Sequence, residues 1–204
     1  LGGVTDDIID AVAISHRDTL AKTNPRSTNR ETLKDGAVVR LGDRDFTLIR
    51  TPGHSDGHIL FYDPAEQIAL SGDHVLLTIT PNIGLWAHSQ DDPLGRYLHT
   101  LETLQTLNLR MALPGHRAVI TDWRARLQEL HAHHQTRLTR TLDAVEQGLE
   151  TGYAATYHIF DTGKFTHHEW RFAIAETLAH LEHLHLAGKL NKSVRGGAWH
   201  YTLA

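Results

Sequence analysis

The chain has 204 residues, 40% of them hydrophobic and 22% charged, which suits one ordinary domain or two small ones and excludes a disordered or fibrous protein. It contains no cysteine, so disulfides, thiolate metal ligands and cysteine nucleophiles are excluded. The formal net charge of −4 argues against a strong general affinity for nucleic acid, whereas the 17 histidines favour metal binding.

The first part of the chain predicts a helix followed by short strands. A polar helical pattern covers residues 1–24, and a polar loop follows to residue 35. Beyond the loop, apolar residues alternate in short runs that are bounded by turn residues, which is typical of strands. The predicted strands are, in chain order, 39–41 and 46–48 (a hairpin around Gly42 to Asp45), 59–62, 68–70 and 111–113.

The rest of the chain is dominated by helical spacing. Asp92 and Pro93 are typical of an N-cap and a first helical residue, and a leucine stripe continues to Leu104. Apolar residues at steps of three and four predict a longer helix from about residue 121 to 149. Two more helices are predicted, over 151–160 and 167–187, followed by a polar turn over 191–197 and a strand over 199–203.

Helices that close on a terminal β-ribbon predict a small winged-helix-like domain. We therefore expect an α/β fold with a first domain over residues 1–150 and a winged-helix-like domain over residues 151–204.

Three short phrases place a polar residue beside glycine where an apolar strand gives way to a turn. They are Thr51-Pro-Gly-His-Ser-Asp-Gly-His58, Ser71-Gly-Asp-His74 and Leu113-Pro-Gly-His116. Such positions put polar side chains at the edge of a sheet, where α/β proteins build sites. Each phrase alone is equally well a turn with a polar cap. Taken together, they predict one metal centre made by His54, Asp73 and His116, because imidazole and carboxylate are both zinc ligands.

These phrases, in this order and at about these spacings, resemble the later metal motifs of the metallo-β-lactamase superfamily. The long helix after Pro-Gly-His and the tail over 151–204 resemble the branch with a C-terminal winged-helix-like domain, which includes lactamase-β-2-like endoribonucleases and hydroxyacylglutathione-hydrolase-like enzymes. The resemblance implies the C-terminal half of an αββα sandwich. It also implies that His54 binds a first metal, Asp73 bridges two metals and His116 binds the second. Metal-activated water would then attack the substrate.

The chain departs from that family at its start. The first metal motif of the family, His-x-His-x-Asp-His, is absent, and His16 is the only histidine before His54. We therefore expect the chain to be truncated and to lack about half of the catalytic domain. Such a loss would impair activity and leave sheet edges uncovered, so we expect a homo-oligomer.

Several other residues are candidates for supporting roles. Asp56 and His58 are candidates for orienting the histidine ligands through hydrogen bonds. His74 follows the bridging carboxylate and is a candidate for substrate contact or for a structural role. Asn82 and Trp86 lie in a loop that resembles the mouth of the family's pocket, so they are candidates for substrate contact, with a packed loop aromatic as the equal alternative. Histidines in the long helices are interpreted as packed or solvated; they are His131, His133, His134, His180, His183 and His185.

The function expected from these observations is metal-dependent hydrolysis of a small ester or thioester. Zinc is the expected metal, and iron or manganese would suit the same ligands. A single-strand endoribonuclease of the same superfamily and a non-catalytic interaction or oligomerisation fragment are the alternatives. No apolar run is long enough to span a membrane and no signal peptide opens the chain, so we expect a cytoplasmic protein without a membrane partner.

Overall fold

The computed structural model describes residues 3–5, 9, 10, 13, 17, 21 and 28–204. Most of the helix predicted over residues 1–24 lies outside these described residues. The chain divides into two compact units. Residues 32–83 and 87–136 form the first, called here the sheet unit; the second, called the helical unit, comprises residues 1–31, 84–86 and 137–204.

The sheet unit is built on one five-stranded sheet. Its strands are β1 (Val38–Leu41), β2 (Arg44–Arg50), β3 (Ile59–Asp63), β4 (Ile68–Gly72) and β5 (Met111–Pro114). They lie in the order β1-β2-β3-β4-β5. Each of the first three pairs is antiparallel, and β4 pairs with β5 in parallel. The predicted hairpin, the two central strands and the strand before Pro114 are thus confirmed.

Helix α1 (Pro93–Leu104) lies in the connection between β4 and β5, as a parallel pair requires a crossover. The side chain of Asp92 caps it by accepting a hydrogen bond from Gly95 N, and Pro93 occupies the first turn. The predicted leucine stripe faces the core, because Leu94, Leu101 and Leu104 are fully buried. Helix α1 therefore begins where the Asp-Pro pair predicts.

Helix α2 (Trp123–Glu146) is the predicted long helix, with residues 123–136 in the sheet unit and 137–146 in the helical unit. Leu127, Leu130 and His134 are fully buried along it. The His134 ring packs edge-on against Tyr97, with ring centroids 5.3 Å apart. The interpretation of His134 as a packing residue is therefore confirmed.

The helical unit contains α3 (Gly152–Ile159), α4 (His167–Leu186), β6 (Leu190–Arg195) and β7 (Ala198–Leu203). Strands β6 and β7 form an antiparallel two-stranded ribbon. Sequence analysis predicts a polar turn over 191–197, whereas the structure has a strand there and confines the turn to Gly196 and Gly197, which both have positive φ. No helix in the described part of the chain combines the length and apolar character that a membrane span requires.

Candidate metal centre

The three predicted metal-ligand residues follow strands that end at the same edge of the sheet. Strand β2 is antiparallel to β3, and β3 is antiparallel to β4, so β2 and β4 run in the same direction. Strand β5 is parallel to β4. The carboxyl ends of all three strands therefore share one edge, and His54, Asp73 and His116 all lie in the turns that follow those ends.

Asp73 and His116 are close neighbours at this edge. The Nε2 atom of His116 lies 3.4 Å from Oδ1 of Asp73, and both side chains are nearly half exposed. Gly115 makes the approach possible, because a Cβ atom on it would lie only 2.5 Å from Oδ1 of Asp73. The amide of Gly115 also donates a hydrogen bond to the carbonyl of Gly72, which ties the two strand ends together. The glycine of the Pro-Gly-His phrase thus provides the space that the Asp73 carboxylate occupies.

His54 is oriented by the main chain of a different loop. Its Nδ1 atom lies 2.9 Å from the carbonyl oxygen of Asn82. A carbonyl oxygen only accepts hydrogen bonds, so Nδ1 carries the proton when this bond forms. In the neutral ring the lone pair is then on Nε2, which leaves that nitrogen able to bind a metal.

His58 is held between a threonine and a glycine. Its Nδ1 atom lies 2.6 Å from Oγ1 of the fully buried Thr51. Its Nε2 atom lies against Gly72, where a Cβ atom would approach to 2.7 Å. Burial, with a further contribution from nearby His54, lowers the pKa of His58 to about 4, although the Asp73 carboxylate acts in the opposite direction. His58 is therefore a neutral ring close to two of the predicted ligands.

His74 is a core residue of the sheet unit. It is fully buried, and its ring packs against His58 and Tyr97, with centroid separations of 5.3 Å and 4.8 Å. Neither ring nitrogen has a hydrogen-bond partner among the described residues. Burial, followed by the proximity of His58 and His54, places the pKa of His74 well below its usual value. His74 is thus a neutral aromatic packing residue here, which is one of the two roles considered for it.

The remaining candidates have different surroundings. The Asp56 carboxylate accepts a hydrogen bond from Gln90 N, so it secures a loop. Asn82 acts through its carbonyl on His54. Trp86 belongs to the helical unit, where it contacts Arg171 and Phe172. Sequence analysis did not single out Thr51 as the partner of His58, although both residues stand in the same phrase.

The donors at the sheet edge fit part of a metal site. Two ligands that are each about 2.1 Å from one zinc ion in tetrahedral geometry lie ~3.4 Å apart. The separation between Asp73 and His116 has that value. Across residues 28–204 and the described positions before them, however, no three His, Asp or Glu side chains lie close enough together to hold a metal ion. The described residues therefore offer a pair of suitable donors, Asp73 and His116, and a separate imidazole, His54, whose Nδ1 is bonded to a carbonyl. They do not form a complete metal site.

Comparison with known proteins identifies the family. Residues 6–130 match the family described as the metallo-beta-lactamase superfamily, and residues 138–204 match the metallo-beta-lactamase-like C-terminal domain. Lactamase-like protein aptB of Emericella nidulans is 29% identical over 151 residues, which are 74% of this chain and 45% of that protein. Lactamase-like protein nscB of Trichophyton tonsurans is 31% identical over 144 residues, which are 71% of this chain and 40% of that protein. The chain thus spans less than half the length of these relatives.

Two solved structures share the fold. A metallo-beta-lactamase family protein from Thermus thermophilus is 35% identical with a TM-score of 0.78, covering 94% of this chain and 64% of its own. A beta-lactamase domain protein from Burkholderia ambifaria is 28% identical with a TM-score of 0.87, covering all of this chain and 59% of its own. Together with the match over residues 6–130, these similarities confirm the predicted α/β fold. The chain belongs to the metallo-β-lactamase superfamily.

Proposed function

We propose that the protein is a metal-dependent hydrolase of small esters or thioesters, with His54, Asp73 and His116 among its metal ligands. The observation that carries the proposal is the spacing of Asp73 and His116, which matches two ligands of one ion. Membership of the superfamily supports a hydrolase-type role in general. The proposal also includes three finer points. They are an ester or thioester substrate, a divalent ion that is most simply zinc, and a winged-helix-like character of the C-terminal part.

The residues at the sheet edge support this role through their protonation and placement. The Asn82 carbonyl holds a proton on Nδ1 of His54, so in the neutral ring Nε2 carries the lone pair that a metal would need. Asp73 presents a carboxylate that is partly open to solvent and whose two oxygens could each bind a metal ion. Divalent ions bound there would supply Lewis-acid polarisation of the scissile group and a lowered pKa for water. The ligands needed to complete the site would come from outside the described residues.

Zinc binding tests the ligand assignment. We expect isothermal titration of the metal-free chain with Zn²⁺ to give saturable binding that weakens at least ~tenfold in Asp73→Asn and in His116→Gln. The matched control is His99→Gln, which removes an exposed histidine from α1. Equal zinc affinity in the wild type and in both site variants would refute the assignment.

A hydrolysis assay on the protein as its gene encodes it tests the proposed reaction class. We expect zinc-dependent cleavage of a small thioester or ester, with loss of turnover in Asp73→Asn and no loss in His99→Gln. Cleavage of single-stranded RNA without thioester cleavage would favour the endoribonuclease alternative. Zinc binding with neither activity would favour the non-catalytic alternative, and either result would overturn the proposed reaction.

A further inference from the structure

A second group of interacting side chains lies in the helical unit, and most of its members belong to α4. We call it the aromatic–arginine cluster; it consists of Trp86, His168, Arg171 and Phe172. Its first member is fixed to α4 by the backbone, because Leu85 N donates a hydrogen bond to the carbonyl of Ala175 over 2.9 Å. A Cβ atom on Gly84 would lie 2.9 Å from the Trp86 ring and 3.0 Å from the Ala175 side chain. Only glycine allows this close approach, so Trp86 is held firmly against the helix.

The rings of the cluster pack edge to face around one guanidinium group. The Trp86 and Phe172 centroids are 5.8 Å apart with perpendicular planes, and the His168 ring meets Phe172 at 4.7 Å. The guanidinium carbon of Arg171 lies over the Trp86 ring at 4.8 Å and 5.6 Å from the Phe172 ring. These contacts hold the planar cation beside two aromatic faces.

The guanidinium of Arg171 has no carboxylate or carbonyl partner among the described residues; the contacts it makes there are those with the two rings. The acids of α4 are engaged elsewhere. Glu169 accepts hydrogen bonds from the amide and hydroxyl of Thr166, and Glu176 is buried near Arg137. Residues one helical turn from Arg171, at positions 167, 168, 174 and 175, include no acid. Among the described residues, no acid therefore compensates the positive charge of Arg171.

A half-buried guanidinium that is positioned by aromatic rings and retains its N–H donors suits one kind of ligand. Its planar fork matches both oxygens of a carboxylate. The neighbouring Trp86 and Phe172 rings are apolar and would suit a group attached to that carboxylate. We propose that the aromatic–arginine cluster binds a carboxylate-bearing aromatic or aliphatic ligand, with Arg171 on the carboxylate and with Trp86 and Phe172 against the apolar part. This inference does not depend on the metal-ligand assignment, because His54, Asp73 and His116 lie outside the cluster; Trp86 is the one member that sequence analysis also makes a candidate for substrate contact.

Titration with benzoate, benzamide and phenyl phosphate tests this inference on the chain itself. The readout is the indole N–H resonance of Trp86, assigned by its disappearance in Trp86→Phe. We expect benzoate to shift this resonance saturably, and the neutral benzamide of the same shape to leave it unchanged. Equal shifts with both compounds would overturn the inference, and tighter binding of phenyl phosphate than of benzoate would overturn the assignment to a carboxylate.

Two substitutions separate recognition from structural support. Arg171→Gln removes the charge and most of the fork, so we expect benzoate affinity to fall at least ~tenfold. Arg171→Lys keeps the charge but loses the planar fork and should weaken binding by a smaller factor. The control Arg124→Gln removes an exposed arginine of α2 and should leave affinity unchanged. If Arg171→Gln lowers only the melting temperature and leaves benzoate affinity intact, Arg171 merely holds the 84–86 segment in place and the inference is wrong.

Discussion

Gly72 combines a left-handed backbone conformation with close surroundings. Its φ of +50° lies in the left-handed region, and a Cβ atom there would lie 2.7 Å from Nε2 of His58. Substitution by alanine therefore has two costs. The backbone cost of a left-handed non-glycine residue is about 1–2 kcal/mol. The second cost arises because His58 must move to make room.

The second cost is set by what holds His58. The hydrogen bond between its Nδ1 and Thr51 Oγ1 is 2.6 Å long, and a net contribution of about 1 kcal/mol is typical of such a bond. We therefore expect Gly72→Ala to lower the free energy of unfolding by about 2–3 kcal/mol, the sum of both costs.

A glycine with a similar backbone but open surroundings is the matched control. Gly42 has a φ of +65°, and no atom lies within 4 Å of where its Cβ would be. Gly42→Ala should therefore carry the backbone cost alone. In a chain of this length, the extra ~1 kcal/mol at Gly72 corresponds to a further drop in melting temperature of about 2–4 °C.

Thermal and urea unfolding, followed by circular dichroism, measure both variants. Combining Gly72→Ala with His58→Ala should recover the steric part, so the two substitutions should couple by about 1 kcal/mol. Equal destabilisation by Gly72→Ala and Gly42→Ala, or strict additivity with His58→Ala, would refute the steric argument.

Two further predictions concern side chains that secure a turn and a helix start. Hydrogen bonds from the Glu66 amide and the Arg44 guanidinium hold the pKa of Asp63 below its usual 3.8, against the opposing effect of burial. The stability linked to ionisation of Asp63 is therefore present above pH 3.8 and is lost as the pH falls through the lowered pKa. Asp63→Asn should therefore lower the melting temperature at pH 7 and converge with the wild type in acid; a constant difference at every pH would contradict this linkage. Thr166 and Glu169 form a capping box at the start of α4, so Thr166→Ala should cost about 1 kcal/mol in urea unfolding, whereas Thr166→Ser should retain most of that stability. Equal losses in the alanine and serine variants would show that the hydroxyl does not cap the helix.

Sequence analysis correctly predicted the strands and helices whose signals come from residues close together in the sequence. Alternating apolar residues marked β2, and three- and four-residue spacing marked α2. The Asp92-Pro93 pair marked the start of α1, whose cap the structure confirms. Such features can be predicted because each is determined by residues a few positions apart.

Strand β6 was not predicted because its stability depends on distant residues. Most of its residues are exposed or half-buried, so the strand lacks a clear apolar alternation. Lys192 illustrates its dependence on partners: its ammonium group lies 2.6 Å from a Glu182 carboxylate oxygen in α4 and 3.8 Å from the Trp199 ring centroid in β7. Neither contact is visible as a spacing in the sequence.

In the candidate site, too, the features set by neighbouring residues could be predicted, whereas those set by distant residues require the structure. The three phrases could be placed at the ends of strands, because each carries its own glycine and follows an apolar run. Their common edge depends on the directions of β2, β4 and β5, which only the sheet topology determines. The link from Thr51 to His58 and the role of Arg171 also require coordinates, since the sequence gives no indication of which groups face each other. The domain boundary at residue 150 and the ligand roles of His54, Asp73 and His116 stay predictions.

The hydrogen bond that orients His54 has a consequence for how this protein can vary. Its acceptor is the main-chain oxygen of residue 82, and every amino acid supplies that atom. Mutational drift at position 82 can therefore leave the imidazole tautomer intact, provided that the loop keeps its path. Homology searches that weigh side-chain identity would overlook this contact, whereas substitutions that lengthen or shorten the loop would disturb it.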